Sequence, residues 1–307
     1  TETEMSTFGR GLQPSFTMAY RAYGNVANEF RNIDTWFCGS YKNYIPNHYH
    51  LGFLMSRHGY NRFGRVMGDD VAELTSRRPY MLVSTSWTLK KLYGRSESQL
   101  FYDTFHTLYY HWTPLAEVEQ TTMPIPVAEP KSYTAYSYPL VREDGTLIYL
   151  KEDLDNTTAF VEVDTETGAE RLVARTGAIS TRPRLSSEGR IWWTEYRRSL
   201  LWGERYDSRL CWAELKNGRT HSVAMAANIL YPTPIERDSL AWVEYNPSGY
   251  YSIVVGSRNK GNILNNSVLS RRVIGEQIHG LAWDNTTRKL YFIGLNDDGM
   301  YLGAVDH

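Results

Sequence analysis

Apolar and polar residues follow two different rhythms along this chain, and the change falls near residue 120. Before it, apolar positions return at helical spacing and glycine punctuates the ends of the runs. After it, short Val, Ile, Tyr and Trp runs alternate with turn residues, which is strand behaviour.

The first part predicts five helices. One spans 16–28, with Pro14 and Ser15 at its start. A second spans 46–59, opened by Pro46, where a missing N–H costs little. A third runs over 61–75 and ends before Arg77-Arg78-Pro79. A fourth covers 84–93, with Lys90 and Lys91 suited to its last turn and Gly94 as cap. A fifth covers 96–112, where Ser96-Glu97-Ser98-Gln99 fits a capping box. Four prolines within 113–132 mark a linker.

From residue 133 the chain repeats itself. Gly145-Thr146-Leu147-Ile148-Tyr149-Leu150 resembles Gly189-Arg190-Ile191-Trp192-Trp193-Thr194, and both resemble the runs opening at Asp238 and Arg288. The starts lie roughly 44 to 50 residues apart, which is the spacing of propeller blades. Second turn signals at Asp164-Thr165-Glu166-Thr167-Gly168 and Lys216-Asn217-Gly218 fit the outer hairpin of a four-stranded blade. The expected fold class is therefore multidomain α plus β. A helical lobe over 1–115 and a Pro-rich linker over 116–132 precede antiparallel four-stranded blades of a partial β-propeller over 133–307. About three and a half blades fit, so the arc is expected to be incomplete, with exposed strand edges.

Composition narrows the function classes. Lys and Arg total 33 against 34 for Asp and Glu, so no global field attracts nucleic acid or anionic lipid. No apolar run reaches the roughly 18 residues that a transmembrane helix needs. Cys38 and Cys211 lie far apart and read as two free, buried thiols. The chain opens on Thr1 without a leader and is read as a segment of something longer.

The chemistry on offer is sparse. A His-Glu-x-x-His zinc helix is absent from this sequence, as are a Gly-x-Ser-x-Gly elbow, a P-loop and a Gly-x-Gly-x-x-Gly turn. His48 and His50 are two apart, so on a helix they diverge by about 200°. No metal site and no cofactor are expected within this chain. What remains is the polar aromatic stretch around Pro46-Asn47-His48-Tyr49-His50, with a Tyr-x-x-Gly step from Tyr49 to Gly52. A phenol donates a hydrogen bond without ionising at neutral pH, and a preorganised donor can hold an oxyanion. Tyr49 and His48 are the catalytic candidates, set against an ordinary role as locally satisfied capping and packing groups.

The order of elements resembles a family of bacterial envelope proteins in which a gluzincin-like (peptidase MA-type) domain precedes a TolB-like, WD-type propeller. Thr1-Glu2-Thr3-Glu4 with Gly9-Arg10-Gly11 resembles the segment after that family's third zinc ligand, and Gly39-Ser40-Tyr41-Lys42 through Gly52 resembles the following helix. Trp192-Trp193-Thr194-Glu195 and Trp202-Gly203-Glu204-Arg205-Tyr206 are similar to its second-blade signature. The resemblance implies that Tyr49 matches the transition-state tyrosine and that zinc would belong to a longer parent protein, with its ligands upstream of Thr1. It also implies a periplasmic or cell-envelope location and a peptide or protein substrate. Two readings follow: part of a zinc-metallopeptidase-like protein, catalytically incomplete as given, whose propeller gates substrate or binds a partner; or a non-enzymatic propeller module for peptide or glycan, braced by a helical domain.

Overall fold

The computed structural model describes residues 9–24, 33–41, 43–81, 84–113, 121–126, 130–224, 228–236, 238–259 and 262–306. The chain divides into two compact units, Thr1–Met123 and Pro124–His307. Each is taken by itself.

The first unit holds α1 (Pro14–Gly24), α2 (Ile33–Cys38), α3 (His48–Phe63), α4 (Met67–Ser76), α5 (Ser84–Tyr93) and α6 (Glu97–Trp112). The expected capping box stands at α6, where the Ser96 side chain accepts from the Gln99 backbone and the Gln99 side chain accepts from Ser96 N. The start of α3 shifts from the expectation. The helix begins at His48 rather than Pro46, with Asn47 as its cap, whose Oδ1 accepts from Tyr49 N at 2.8 Å. The end shifts further. Gly59 looks like a stop in sequence but lies inside α3, and the helix ends at Gly64 in the left-handed region, φ 67°. A Cβ at Gly59 would stand 1.8 Å from Met67 Sδ, so this glycine permits a close approach rather than a stop. The expected helix over 61–75 accordingly begins only at Met67. Helix α2 was not anticipated. The expected stretch 25–28 of the first helix lies outside the described residues. The unit's core gathers Tyr20, Trp36, Leu51, Leu54, Phe101 and Phe105.

The second unit is built entirely of antiparallel meanders. The first sheet holds β1 (Thr134–Val141), β2 (Leu147–Asp153), β3 (Ala159–Val163) and β4 (Glu170–Arg175). The second holds β5 (Ile179–Ser186), β6 (Arg190–Arg198), β7 (Tyr206–Glu214) and β8 (Thr220–Ala224). The third holds β9 (Asn228–Pro234), β10 (Ser239–Tyr245), β11 (Tyr251–Asn259) and β12 (Asn262–Arg271). The last holds three strands, β13 (Gln277–Asp284), β14 (Lys289–Asn296) and β15 (Gly299–Asp306). In every sheet the strands follow chain order, and the first strands β1, β5, β9 and β13 contact one another in series. That arrangement is an arc of propeller blades with their innermost strands on a common side.

Burial follows the two-residue period of a strand. In β6, Ile191 and Trp193 face the first blade's Ile148, Leu150 and Phe160, while Trp192 turns the other way toward Leu240 and Trp242. In β10, Ala241 and Val243 face Ile278, Leu281 and Phe292 of the last blade. Three further repeats tie the blades to one design. Gly145, Gly189, Asp238 and Arg288, the residues that open the sequence repeat, all sit in the left-handed region, at φ 84°, 73°, 57° and 55°. The buried indoles Trp193 and Trp242 donate to the carboxylate two residues on, Glu195 at 2.8 Å and Glu244 at 2.9 Å. The innermost strands of the first three blades each break register at an X-Pro pair: Tyr138-Pro139, Arg182-Pro183 and Tyr231-Pro232. Proline lacks a ladder donor and is tolerated there because these are edge strands carrying bulges.

Cys38 and Cys211 are both free, as expected, but Cys38 is exposed rather than buried. No described helix is long and apolar enough to cross a membrane.

Candidate binding site

Tyr49 and His48 occupy the first turn of α3. The Tyr20 hydroxyl lies 3.3 Å from both the Pro46 and the Asn47 carbonyl, anchoring the chain just before the helix. The Asn47 cap then fixes the first turn, and Tyr49 projects with 68% of its surface exposed. His48, also exposed, packs its ring 4.5 Å from that of Tyr49. His50 goes elsewhere, its ring 3.8 Å from Phe16. The two candidates are therefore adjacent and open to solvent. The two histidines end in different surroundings and do not converge.

Among the described residues, no group of three or more His, Cys, Asp or Glu side chains could hold a metal ion.

The second unit has a more developed surface at the end carrying the β6–β7 and β10–β11 hairpins. In the first of these, Ser199 N donates to Arg205 O at 2.9 Å, and Arg205 N donates to Trp202 O at 3.0 Å. The Ser199 hydroxyl accepts from Leu201 N at 3.3 Å and Trp202 N at 3.2 Å, and Arg198 Nε donates to Gly203 O at 2.8 Å. Polar groups of the loop thus turn inward on one another, and its apolar side chains are left outside. Leu200, Leu201 and Trp202 are 96%, 86% and 66% exposed. At the foot of the hairpin Tyr196 meets Tyr206 edge to face, with ring centroids 6.1 Å apart. The matching hairpin of the third blade brings Tyr245 opposite Tyr251, 4.9 Å apart. Burial, then the neighbouring Tyr196 phenol, pushes the Tyr231 phenol up, so aromatic groups of the second and third blades adjoin here.

These aromatics differ from the others in the blades. Trp193, Trp212 and Trp242 are wedged between sheets and fully buried. The sequence signal for the exposed set was the run Leu200-Leu201-Trp202 inside a turn, since three consecutive apolar residues in a loop have no core to enter. The signature Trp202-Gly203-Glu204-Arg205-Tyr206 takes in only the last residue of that run.

The opposite end of the blades carries more charge, although Val141 and Leu185 also line it. A groove of about 450 Å³ between the first two blades is lined by Arg142, Glu143, Asp144, Ser187 and Glu188. The Asp144 carboxyl is held below the usual range by the hydrogen bonds it receives from Thr146.

No protein-family model and no curated protein matches this chain. Among solved structures it is similar to TolB from Acinetobacter baumannii, at 11% identity and TM-score 0.42, covering 57% of this chain and 42% of that one. It is similar to an oligogalacturonate lyase from Vibrio parahaemolyticus, at 13% identity and TM-score 0.39, covering 55% of this chain and 49% of that one. It is also similar to the β-propeller domain of the Trilobed protease from Pyrococcus furiosus, at 19% identity and TM-score 0.32, covering 39% of this chain and 35% of that one. The chain thus spans less than half the length of each of these three. The assignment of the second unit as β-propeller blades rests on its strand order, its repeated turns and its inter-blade packing.

Proposed function

We propose that the blade unit is a binding module that receives an extended peptide segment across its aromatic end. The observation that carries this reading is the outward presentation of Leu200, Leu201 and Trp202 on a loop held from within by its own hydrogen bonds. An exposed tryptophan on a hydrogen-bonded hairpin matches the aromatic anchors that dominate protein interfaces, with Leu200 and Leu201 adding apolar area and Tyr196 and Tyr206 at the foot of the same hairpin. Peptide-display selection on the 307-residue chain tests the reading. Selected peptides are expected to bind with micromolar affinity and to weaken at least about tenfold with Leu201→Ser or Trp202→Ser. Equal affinity in the wild type and both variants would sink it.

A second reading keeps the chain as part of a zinc-metallopeptidase-like protein of the bacterial periplasm or cell envelope, with its propeller gating or recruiting substrate. It is supported by the sequence resemblance and by the exposure of Tyr49, whose burial against a local backbone group would have removed the candidate donor. The described residues supply no zinc ligands, so this reading places the metal chemistry in the longer parent protein. In the longer parent protein, peptidase turnover unchanged by Tyr49→Phe would rule out an oxyanion role for this phenol.

A further inference from the structure

The innermost strand of the second blade carries two arginines, Arg182 and Arg184, on either side of the bulge proline Pro183. Arg184 is half-buried and reaches across the arc, its Nη2 3.3 Å from the Leu281 carbonyl of β13. The Thr233 hydroxyl lies 3.3 Å from the same oxygen, and Tyr231 N donates to the Thr181 hydroxyl at 3.1 Å. Strands of three blades therefore converge around the Arg184 guanidinium. Among the described residues, neither Arg182 nor Arg184 has a carboxylate partner. Some arginines of the same unit are paired, among them Arg171, Arg190, Arg205 and Arg288, and others, such as the half-buried Arg209, are not among the described residues; what sets Arg184 apart is its reach to a backbone carbonyl two blades away.

This is an unusual placement for charge. A desolvated cation is ordinarily paired, since its burial is costly otherwise. Here burial, then the charge of Arg182 beside it, depresses the Arg184 guanidinium below its ordinary value. The surrounding backbone is also strained: Tyr138 and Tyr231, the residues before the bulge prolines of the flanking blades, have φ of 52° and 53°. Non-glycine residues are disfavoured there, and such strain concentrates where a bulge re-aims side chains at a functional site.

We propose that Arg182 and Arg184 form a carboxylate-binding site on the innermost strands of the arc, taking a C-terminal or side-chain carboxylate of a bound peptide. The guanidinium fork matches a carboxylate bidentately, and the oxyanion supplies the charge that the protein leaves out. The assignment of the carboxylate to a peptide rests on the reading of the aromatic end given above; the anion site itself does not.

Calorimetry on the 307-residue chain, at constant ionic strength set with sodium chloride, tests it with four probes. These are citrate, an alanine tetrapeptide with a free C-terminus, the same peptide amidated, and the amidated peptide with one glutamate. Citrate is expected to bind saturably, and at least tenfold more weakly to Arg182→Gln and Arg184→Met. Arg182 is exposed, so its variant keeps the test valid if Arg184→Met loses the inter-blade contact and fails to fold. Trp202→Ser is expected to leave citrate affinity unchanged while weakening peptides, which separates failure of the aromatic end from failure of the anion site. A preference for the free over the amidated peptide identifies a chain terminus; rescue by the glutamate identifies a side chain. Citrate affinity unchanged in Arg182→Gln, or no saturable binding of any probe, would overturn the site. Binding of citrate but of neither carboxylate-bearing peptide would overturn the peptide assignment.

Discussion

The backbone at single positions records the repeat more faithfully than the side chains do. Gly145 and Gly189 adopt φ > 0 at little cost, whereas Asp238 and Arg288 hold the same turn with a Cβ in the way. Arg288 is the cleaner test, because its ion pair with Glu236 is exposed and contributes little. Arg288→Gly is expected to stabilise the protein by a few tenths to about 1 kcal/mol, after the added entropy of an unfolded glycine is subtracted. Gly189→Ala is expected to destabilise by at least a comparable amount, with urea midpoints as the measure. In the helical unit, His58 Nε2 is buried without a hydrogen-bond partner among the described residues. Burial first, then Arg62, lowers the His58 imidazole below its ordinary 6.5, with Asp103 opposing. The folded state therefore favours the neutral ring, and its contribution is fully present above pH 6.5. It declines as pH falls from there toward the folded value, since the unfolded chain then binds the extra proton. The urea midpoint should fall less between pH 7.5 and 5.5 in His58→Gln than in the wild type; an identical fall in both proteins would refute this.

Elements are held together by a few polar ties set into apolar contacts. Asp70, buried in the first turn of α4, accepts from the Tyr93 hydroxyl at the end of α5 and from Arg65 Nη2 at 2.5 Å. Asp70→Asn retains the shape but loses the charge that both donors address. A cost of about 1–3 kcal/mol is expected for that weakened buried pair, read as a lower midpoint of thermal unfolding. A shift within error would show that solvent replaces the carboxylate freely. The close approach of α3 to Met67 at Gly59 has the same character: it is a packing fact, invisible in a pattern of apolar positions. Glycine within a helical rhythm can signal an end, but here the Met67 sulfur, 1.8 Å from where a Cβ would stand, explains why a glycine sits inside a helix that runs on to Phe63.

The blades differ according to their place in the arc. β6 and β10 are buried on both faces over their central residues, whereas β14 is buried on one. Its other face exposes Tyr291 and Ile293, continued on β15 by Met300 and Leu302. β15 is moreover the outer edge of a three-stranded sheet, paired on one side only among the described residues. An apolar edge of this kind promotes association between chains. In a protein of these 307 residues, Leu302→Lys is expected to lower self-association by light scattering without changing the circular dichroism spectrum. An unfolded variant or unaltered scattering would contradict that. The incomplete arc was legible from the repeat count, because each blade announces itself by a left-handed turn before an apolar run.

What the sequence determined by itself is the set of elements whose cause is local. The capping box at Ser96, the cap at Gly94 and the four repeat starts depend on neighbours a few residues away, so their residues betray them. The X-Pro bulges were written there too, six residues before Gly145, Gly189 and Asp238, but proline in a strand reads as a break until the strand is known to be an edge. Only the tertiary structure decided which aromatics are core and which are surface. Trp193 and Trp202 are one residue type in one blade; the first lies between two sheets and the second at a hairpin tip. The pairing of charges was likewise beyond the sequence. Arg182 and Arg184 stand among many arginines there, and only the convergence of three blades sets a half-buried guanidinium where no carboxylate meets it.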